Sequence, residues 1–156
     1  MPYSAAKVAN QMLGVAQARG EDITPLKLLK LVYIAHGWSF PFLRQPLLAE
    51  PAQAWQYGPV VPSLYHAISR FRASPITGLV PDTDPQELSP EASALIQNVY
   101  DTYSRFSGVQ LSNMTHMPNT PWSEAWNTRG RNAIIPNDRI SEHYNHLLES
   151  RCQRVG

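Results

Sequence analysis

Hydrophobic positions along most of the chain recur at the spacing of an α-helix. Residues 26–35 are apolar around nearly the whole circumference of such a helix, with Lys27 and Lys30 as a narrow charged edge. Thr24-Pro25 just before them is a capping residue followed by proline, a typical helix start. The pattern predicts a central helix that ends near Gly37, with Pro41 as its limit.

Similar start signals predict helices on both sides of the central one. Ser4 precedes a first helix that Gly20 ends, and Ser89-Pro90 precedes an apolar stripe at a spacing of 3.6 residues. Further helices are predicted after Pro62, over residues 109–117, after Thr120-Pro121 and over residues 138–150. Residues 72–88, rich in proline and acids, are predicted to form a surface loop.

Residues 54–65 read AWQYGPVVPSLY and break the helical pattern. Trp55 and Tyr57 share one face of an extended segment, and Gly58-Pro59 is predicted to end that segment. Together with a short extended piece before Pro51, this segment predicts a small β-hairpin. The fold class is therefore mainly α: a single compact domain over residues 1–156, with about six helices and this hairpin.

Composition narrows the function. Charged residues make up 16% of the chain and the net charge is +1, which favours association but provides no strong field for nucleic acid or anionic membranes. The single cysteine, Cys152, supports neither an intramolecular disulfide nor a cysteine-based zinc site. No metal or cofactor set is found. Without a long apolar run or a signal-peptide pattern, the expected location is the cytoplasm.

Three stretches taken together resemble a known family. They are LKLLKLVYIAHGW at residues 26–38, residues 46–65 ending in AWQYGPVVPSLY, and Thr115-His116 followed by Pro121-Trp122. Their order and spacing are similar to those of the Panacea antitoxin domain family, which includes SocA-like and phage-associated GepA-like proteins. The resemblance covers about residues 5–126 and departs from the family pattern around residues 40–45.

The resemblance implies an antitoxin with no catalytic activity. Members of the family bind and neutralise a protein toxin encoded by a neighbouring gene, and a SocA-like member also acts as an adaptor that delivers its toxin to a protease. The expected partner is therefore a cognate toxin, with a cellular protease as a further candidate. Membranes and nucleic acids are not expected partners.

Two other classes of function remain open at this stage. A hydrolase or transferase would use His116 as general base with help from a tyrosine or glutamate, although no triad can be assembled from the sequence. A nucleic-acid-binding regulator would use the late arginines, with which acidic residues are interleaved. These arginines are Arg129, Arg131, Arg139, Arg151 and Arg154. Structural roles are favoured for His36, His66 and His116.

The predicted toxin-binding surface combines the aromatic corner, the helix after it and the late turn. It consists of Tyr57, Gly58, Pro59, Tyr65, His66, Thr115, His116, Pro121 and Trp122. Trp38, Trp55 and Tyr65 are expected to lie in the core, whereas Tyr57 and Trp122 are expected to stay partly exposed, as interface aromatics do. The charge-poor stretch of residues 40–48 is the alternative interface.

Overall fold

The computed structural model describes residues 1–155, and their side chains as far as Cys152. Over this range the chain forms seven α-helices and a small three-stranded sheet. In chain order the elements are α1 (Ala5–Arg19), α2 (Pro25–Leu43), β1 (Ala52–Trp55), β2 (Gly58–Val60), α3 (Pro62–Ile68), α4 (Pro90–Tyr103), α5 (Gly108–Thr115), α6 (Pro121–Arg129), β3 (Ile134–Ile135) and α7 (Asn137–Val155). The mainly helical fold class is confirmed.

Helix α2 lies at the centre and packs against α1, α4, α5 and α7. Its side chains from Leu28 to Ser39 are all buried, as expected for a helix that is apolar all round. The sequence predicted that Lys27 and Lys30 form a charged edge of this helix. The prediction is wrong for Lys30, which is completely buried, whereas Lys27 is partly exposed.

The prediction that Pro41 limits the central helix is also wrong, since α2 includes Pro41 and continues to Leu43. Proline lacks only its own N–H, so in the last turn it removes one helical hydrogen bond. Arg44 then adopts a left-handed conformation with φ of 58°, and its N–H donates to the carbonyl of Phe40. This closing bond ends the helix at Leu43, six residues beyond Gly37, near which the sequence predicted its end.

The other helix starts follow their local signals. The side chains of Ser4, Ser89 and Thr120 each accept a hydrogen bond from a backbone N–H in the first turn of α1, α4 and α6. Gly20 ends α1 with φ of 67°. Residues 72–88 contain no helix or strand, which confirms the predicted loop.

A hairpin exists, but it pairs other segments than predicted, because the expected partners were a piece before Pro51 and residues 52–57, with the turn near Pro51. Strands β1 and β2 pair antiparallel with Trp55 opposite Gly58, so Gln56 and Tyr57 form the turn. Gly58-Pro59 therefore begins the second strand instead of ending the first. β3 pairs with the other edge of β1, and Leu48 makes only an isolated bridge with Tyr3.

The helices over residues 1–155 include none that combines the length and the hydropathy needed to span a membrane.

Candidate functional site

Three carbonyl oxygens along the hairpin receive hydrogen bonds from three different elements. Trp122 Nε1 on α6 donates to Trp55 O at 2.7 Å, and Lys30 Nζ on α2 donates to Pro59 O at 2.8 Å. Between them, Ser112 Oγ on α5 donates to the carbonyl of Tyr57. These bonds hold the hairpin against α2, α5 and α6, because a buried carbonyl without a partner is costly.

Gly58 sits where the hairpin approaches α2 and α5 most closely. Its φ of 114° strongly favours glycine, and a Cβ there would lie 3.2 Å from both Lys30 Nζ and Thr115 Oγ1. The Thr115 hydroxyl is itself tied to α5, since it donates to the Leu111 carbonyl at 2.9 Å. The glycine of the motif therefore satisfies both a backbone conformation and a close contact.

Lys30 is a buried amine at the base of this hairpin. Burial lowers the pKa of its amine to about 7, because an apolar environment disfavours the charged form. None of the ion pairs among the described residues includes Lys30. Its hydrogen bond to Pro59 is consequently the main polar interaction of the amine.

His116 is fixed by its neighbours in the turn between α5 and α6. Its Nδ1 donates to the Ser112 carbonyl one turn earlier, and its ring meets Trp122 edge to face at 5.3 Å. Trp122 in turn stacks on Trp126 at 5.2 Å. This arrangement gives His116 a role in holding the turn, which is the structural role that the sequence favoured.

An exposed aromatic face lies on the outer side of the same hairpin. Tyr57 is 67% exposed at the tip, Trp55 is half-buried, and Tyr65 of α3 meets Trp55 edge to face at 4.9 Å. His66 is exposed beside Tyr65, with ring centroids 5.5 Å apart. Trp55, Tyr57 and Tyr65 line a groove of about 380 Å³, with Leu26 and Leu29 among its other walls. We call this the hairpin groove.

The structure brings most of the sequence-predicted residues together around the hairpin. Gly58, Pro59, Thr115, His116 and Trp122 meet on its inner side, and Pro121 begins the helix that carries Trp122. Tyr57, Tyr65 and His66 lie on its outer side.

Two exposure predictions are wrong, and the prediction that Trp55 lies in the core holds only in part, because Trp55 is half-buried against it. Trp122 is only 9% exposed, because its indole N–H reaches the Trp55 carbonyl and the ring is covered by His116 and Trp126. Tyr65, predicted in the core, is 36% exposed because it lies on the groove side of α3. The exposure of Tyr57 is confirmed.

Sequence reasoning missed three residues of the site. No sequence motif marks Ser112. Lys30 is buried because the hairpin folds over it, which its neighbours in the sequence do not indicate. Arg131 lines the hairpin groove and donates to Gln56 Oε1 at 3.5 Å, whereas the sequence suggested only a phosphate contact for it.

The other late arginines make contacts within the chain. Arg139 pairs with Glu124 at 3.3 Å and with Glu142 at 3.2 Å, and Arg129 donates to the Ile134 carbonyl. The Arg151 guanidinium lies 4.8 Å from the centre of the Trp38 ring. Arg154 lies outside the residues whose side chains are described. The described residues contain no group of three His, Cys, Asp or Glu suited to a metal ion.

Comparison with known proteins supports the resemblance noted in the sequence. Residues 28–123 match the family described as "Antitoxin SocA-like, Panacea domain". A curated relative, Antitoxin SocA of Caulobacter vibrioides (strain NA1000 / CB15N), is 30% identical over 138 residues, covering 82% of this chain and 73% of the relative. No solved structure matches the chain significantly. The chain therefore belongs to the SocA-like antitoxins of the Panacea domain family.

Proposed function

We propose that this chain is the antitoxin of a toxin–antitoxin pair and neutralises a cognate protein toxin in the cytoplasm by binding it directly. The observation that carries the proposal is the exposed aromatic face of the hairpin groove, whose residues Trp55, Tyr57 and Tyr65 lie within the family-matched region. Tyrosine and tryptophan are enriched at binding hot spots, since they supply large, fairly rigid contact areas. The predicted toxin-binding residues Tyr57, Tyr65 and His66 are exposed here, and five others lie on the inner side of the hairpin: Gly58, Pro59, Thr115, His116 and Trp122.

The proposal is tested by expressing the neighbouring gene in a host cell, alone and together with this chain. We expect the neighbour to arrest growth alone and the co-expressed chain to restore growth. The matched control carries Gly58→Arg, which would place a large side chain against Lys30 and Thr115 and disrupt the hairpin. Equal growth arrest with and without the wild-type chain would contradict the proposal.

The same cells distinguish occlusion from delivery to a protease. If the chain acts as an adaptor, the toxin's half-life should fall when the chain is present and recover in strains that lack the relevant protease. If the chain only covers the toxin's active surface, the toxin's half-life should be unchanged or longer. Purified components should then form a stable complex that elutes as one species.

We infer that the chain acts by binding and not by catalysis. This inference is supported by His116, whose Nδ1 is engaged by the Ser112 carbonyl and whose ring packs on Trp122. His116→Ala should lower the melting temperature while the folded fraction still neutralises the toxin. A variant that melts like wild type but has lost an activity with a bell-shaped pH dependence would support the enzymatic alternative instead.

A further inference from the structure

A second cavity, also of about 380 Å³, lies between α2, the turn from α5 to α6, and α7. It shares no lining residue with the hairpin groove. Its apolar walls include Ile34, Met114, Met117 and Leu147. A cavity of this size and character suits a small organic molecule.

Two tyrosine hydroxyls in this cavity have no partner within the described part of the chain. Tyr33 is 2% exposed and Tyr144 is 6% exposed, and both line the cavity. No buried side-chain polar atom of the described residues is left both sealed from solvent and without a hydrogen bond. The two hydroxyl oxygens therefore retain accessible surface, and both tyrosines line the cavity. Buried polar groups normally have partners, so this pair is available to a ligand.

The charge of the cavity favours an anion. Arg151 lines it, while none of the described lining residues is aspartate or glutamate. Tyr103 accepts hydrogen bonds from Trp38 Nε1 at 3.0 Å and from Arg151 Nη2 at 3.4 Å, which leaves its own proton free to donate. Burial raises the pKa of Tyr33 and of Tyr144, so both hydroxyls remain protonated donors at neutral pH.

The Tyr144 ring is held in place before any ligand arrives. A Cβ at Gly37 would overlap with this ring, so the glycine allows Tyr144 to lie directly against α2. Trp38 meets the ring edge to face at 5.0 Å. A fixed donor costs little entropy on binding, which favours affinity.

From these observations we propose that the cavity between α2 and α7 binds a small organic carboxylate, with its apolar body among the methionines and its carboxylate at the hydroxyls of Tyr33 and Tyr144 and the guanidinium of Arg151. This site shares no lining residue with the hairpin groove, although Thr115 and Pro121 of the predicted toxin-binding surface also line it, and its test requires no toxin.

The test uses the purified full chain with 13C-labelled methionine methyl groups and phenylacetate as the probe. Met114 and Met117 line the cavity, whereas Met1 and Met12 lie elsewhere and serve as internal controls. We expect phenylacetate to shift the Met114 and Met117 signals saturably, with a dissociation constant on the order of 1 mM for so small a ligand. Phenylacetamide, its neutral counterpart, should bind at least about tenfold more weakly because hydrogen bonds to a charged group are stronger.

Variants distinguish the contribution of the two hydroxyls to binding from that of the packing of the tyrosine rings. Tyr33→Phe and Tyr144→Phe should each weaken phenylacetate binding about tenfold. Tyr100→Phe is the matched control, because the Tyr100 hydroxyl bonds to Glu21 outside the cavity, and it should bind like wild type. Circular dichroism checks that each variant melts cooperatively.

Three results would overturn the proposal. One is the absence of Met114 and Met117 shifts in the wild-type chain up to about 10 mM phenylacetate, well above the expected dissociation constant. Another is equal binding of phenylacetamide and phenylacetate by the wild-type chain, which does not depend on any variant folding. The last is full binding by the Tyr33→Phe/Tyr144→Phe double variant, which would mean that water alone satisfies these hydroxyls.

Discussion

At the scale of single residues, Lys30 departs furthest from what its sequence neighbourhood indicates. It lies in an apolar helix and donates to the carbonyl of Pro59 in the family motif. Removing an amine from water disfavours its charge, and here no carboxylate of the described residues offsets that cost by ion pairing. The hairpin is thus attached to the central helix through a group whose protonation depends on pH near neutrality.

This burial predicts a pH-dependent stability. The Lys30 pKa is about 7 in the folded chain against a reference value of 10.5, so between these values the unfolded chain binds more protons. The free energy of unfolding should therefore rise with pH from about 7 towards 10, by at most about 1.4 kcal/mol per pH unit. Urea denaturation at several pH values in this window measures the slope.

Two variants test whether Lys30 causes this dependence of the free energy of unfolding on pH. Lys30→Met should flatten it, because the titrating amine is gone. Lys7→Met should keep it, since Lys7 lies elsewhere, paired with Asp82 at 3.0 Å, and leaves Lys30 intact. A Lys30→Met protein with the wild-type slope would mean that another group causes the pH dependence.

Gly58 is the second residue whose environment leads to a sharp prediction. Gly58→Ala combines a φ of 114° with contacts at 3.2 Å to Lys30 and Thr115, and it should lower the free energy of unfolding by about 1–3 kcal/mol or more. Gly130→Ala is the matched control: its φ is 88°, but a Cβ there meets nothing within 4 Å. Chemical denaturation should show the larger loss for Gly58→Ala. Equal losses would mean that the contacts with Lys30 and Thr115 contribute nothing.

At the scale of elements, the hairpin depends on bonds from other parts of the chain. Trp122→Phe removes the N–H that donates to the Trp55 carbonyl at 2.7 Å and should lower the free energy of unfolding by about 1–3 kcal/mol, since that carbonyl loses its partner. Trp126→Phe trims the neighbouring stacked ring without removing this bond and should cost less. Denaturation midpoints at equal slopes give the comparison, and an equal or smaller loss for Trp122→Phe would contradict it.

Helix starts could be predicted from the sequence because their signals are local. Ser4, Ser89 and Thr120 bond to backbone groups three residues away, so the required partner is always present. Strand pairing was harder, because it is decided by distant residues. Proline predicts the end of a strand at Pro59, yet β2 lies at the edge of the sheet, where a missing N–H is tolerated. β3 has only two residues and is defined by β1 alone.

The candidate site, like the fold, could be predicted from the sequence only in part. The motif stretches indicated that the corner at Tyr57 and the turn at His116 come together, and the contacts of Trp122 and Ser112 with the hairpin confirm that they do. Which face each aromatic presents could not be deduced. Trp122 is buried because its indole N–H donates to the carbonyl of Trp55, which is distant in the sequence. Short-range sequence patterns carry no information about such a bond.

At the scale of the whole molecule, several large apolar side chains remain exposed, and only some of them belong to the hairpin groove. Tyr57 is 67% exposed at the groove, Phe42 is 57% exposed in the alternative interface of residues 40–48, and Val109 is 62% exposed at the start of α5. Single exposed apolar residues are common on protein surfaces and do not by themselves mark an interface. The affinity of variants for the toxin must therefore be measured to identify which of these residues belong to the interface.

Tyr57→Ala should weaken binding of the cognate toxin by about 30-fold, corresponding to about 2 kcal/mol for a hot-spot residue. The substitution should leave the hairpin folded, because Ser112 bonds to the backbone carbonyl of Tyr57 and not to its side chain. Val109→Ala removes a similarly exposed apolar side chain outside the groove and should bind like wild type. Calorimetric titration of each variant with the purified toxin, after cooperative melting has been confirmed, gives the affinities. Full affinity in Tyr57→Ala together with a loss in Phe42→Ala would move the interface to residues 40–48.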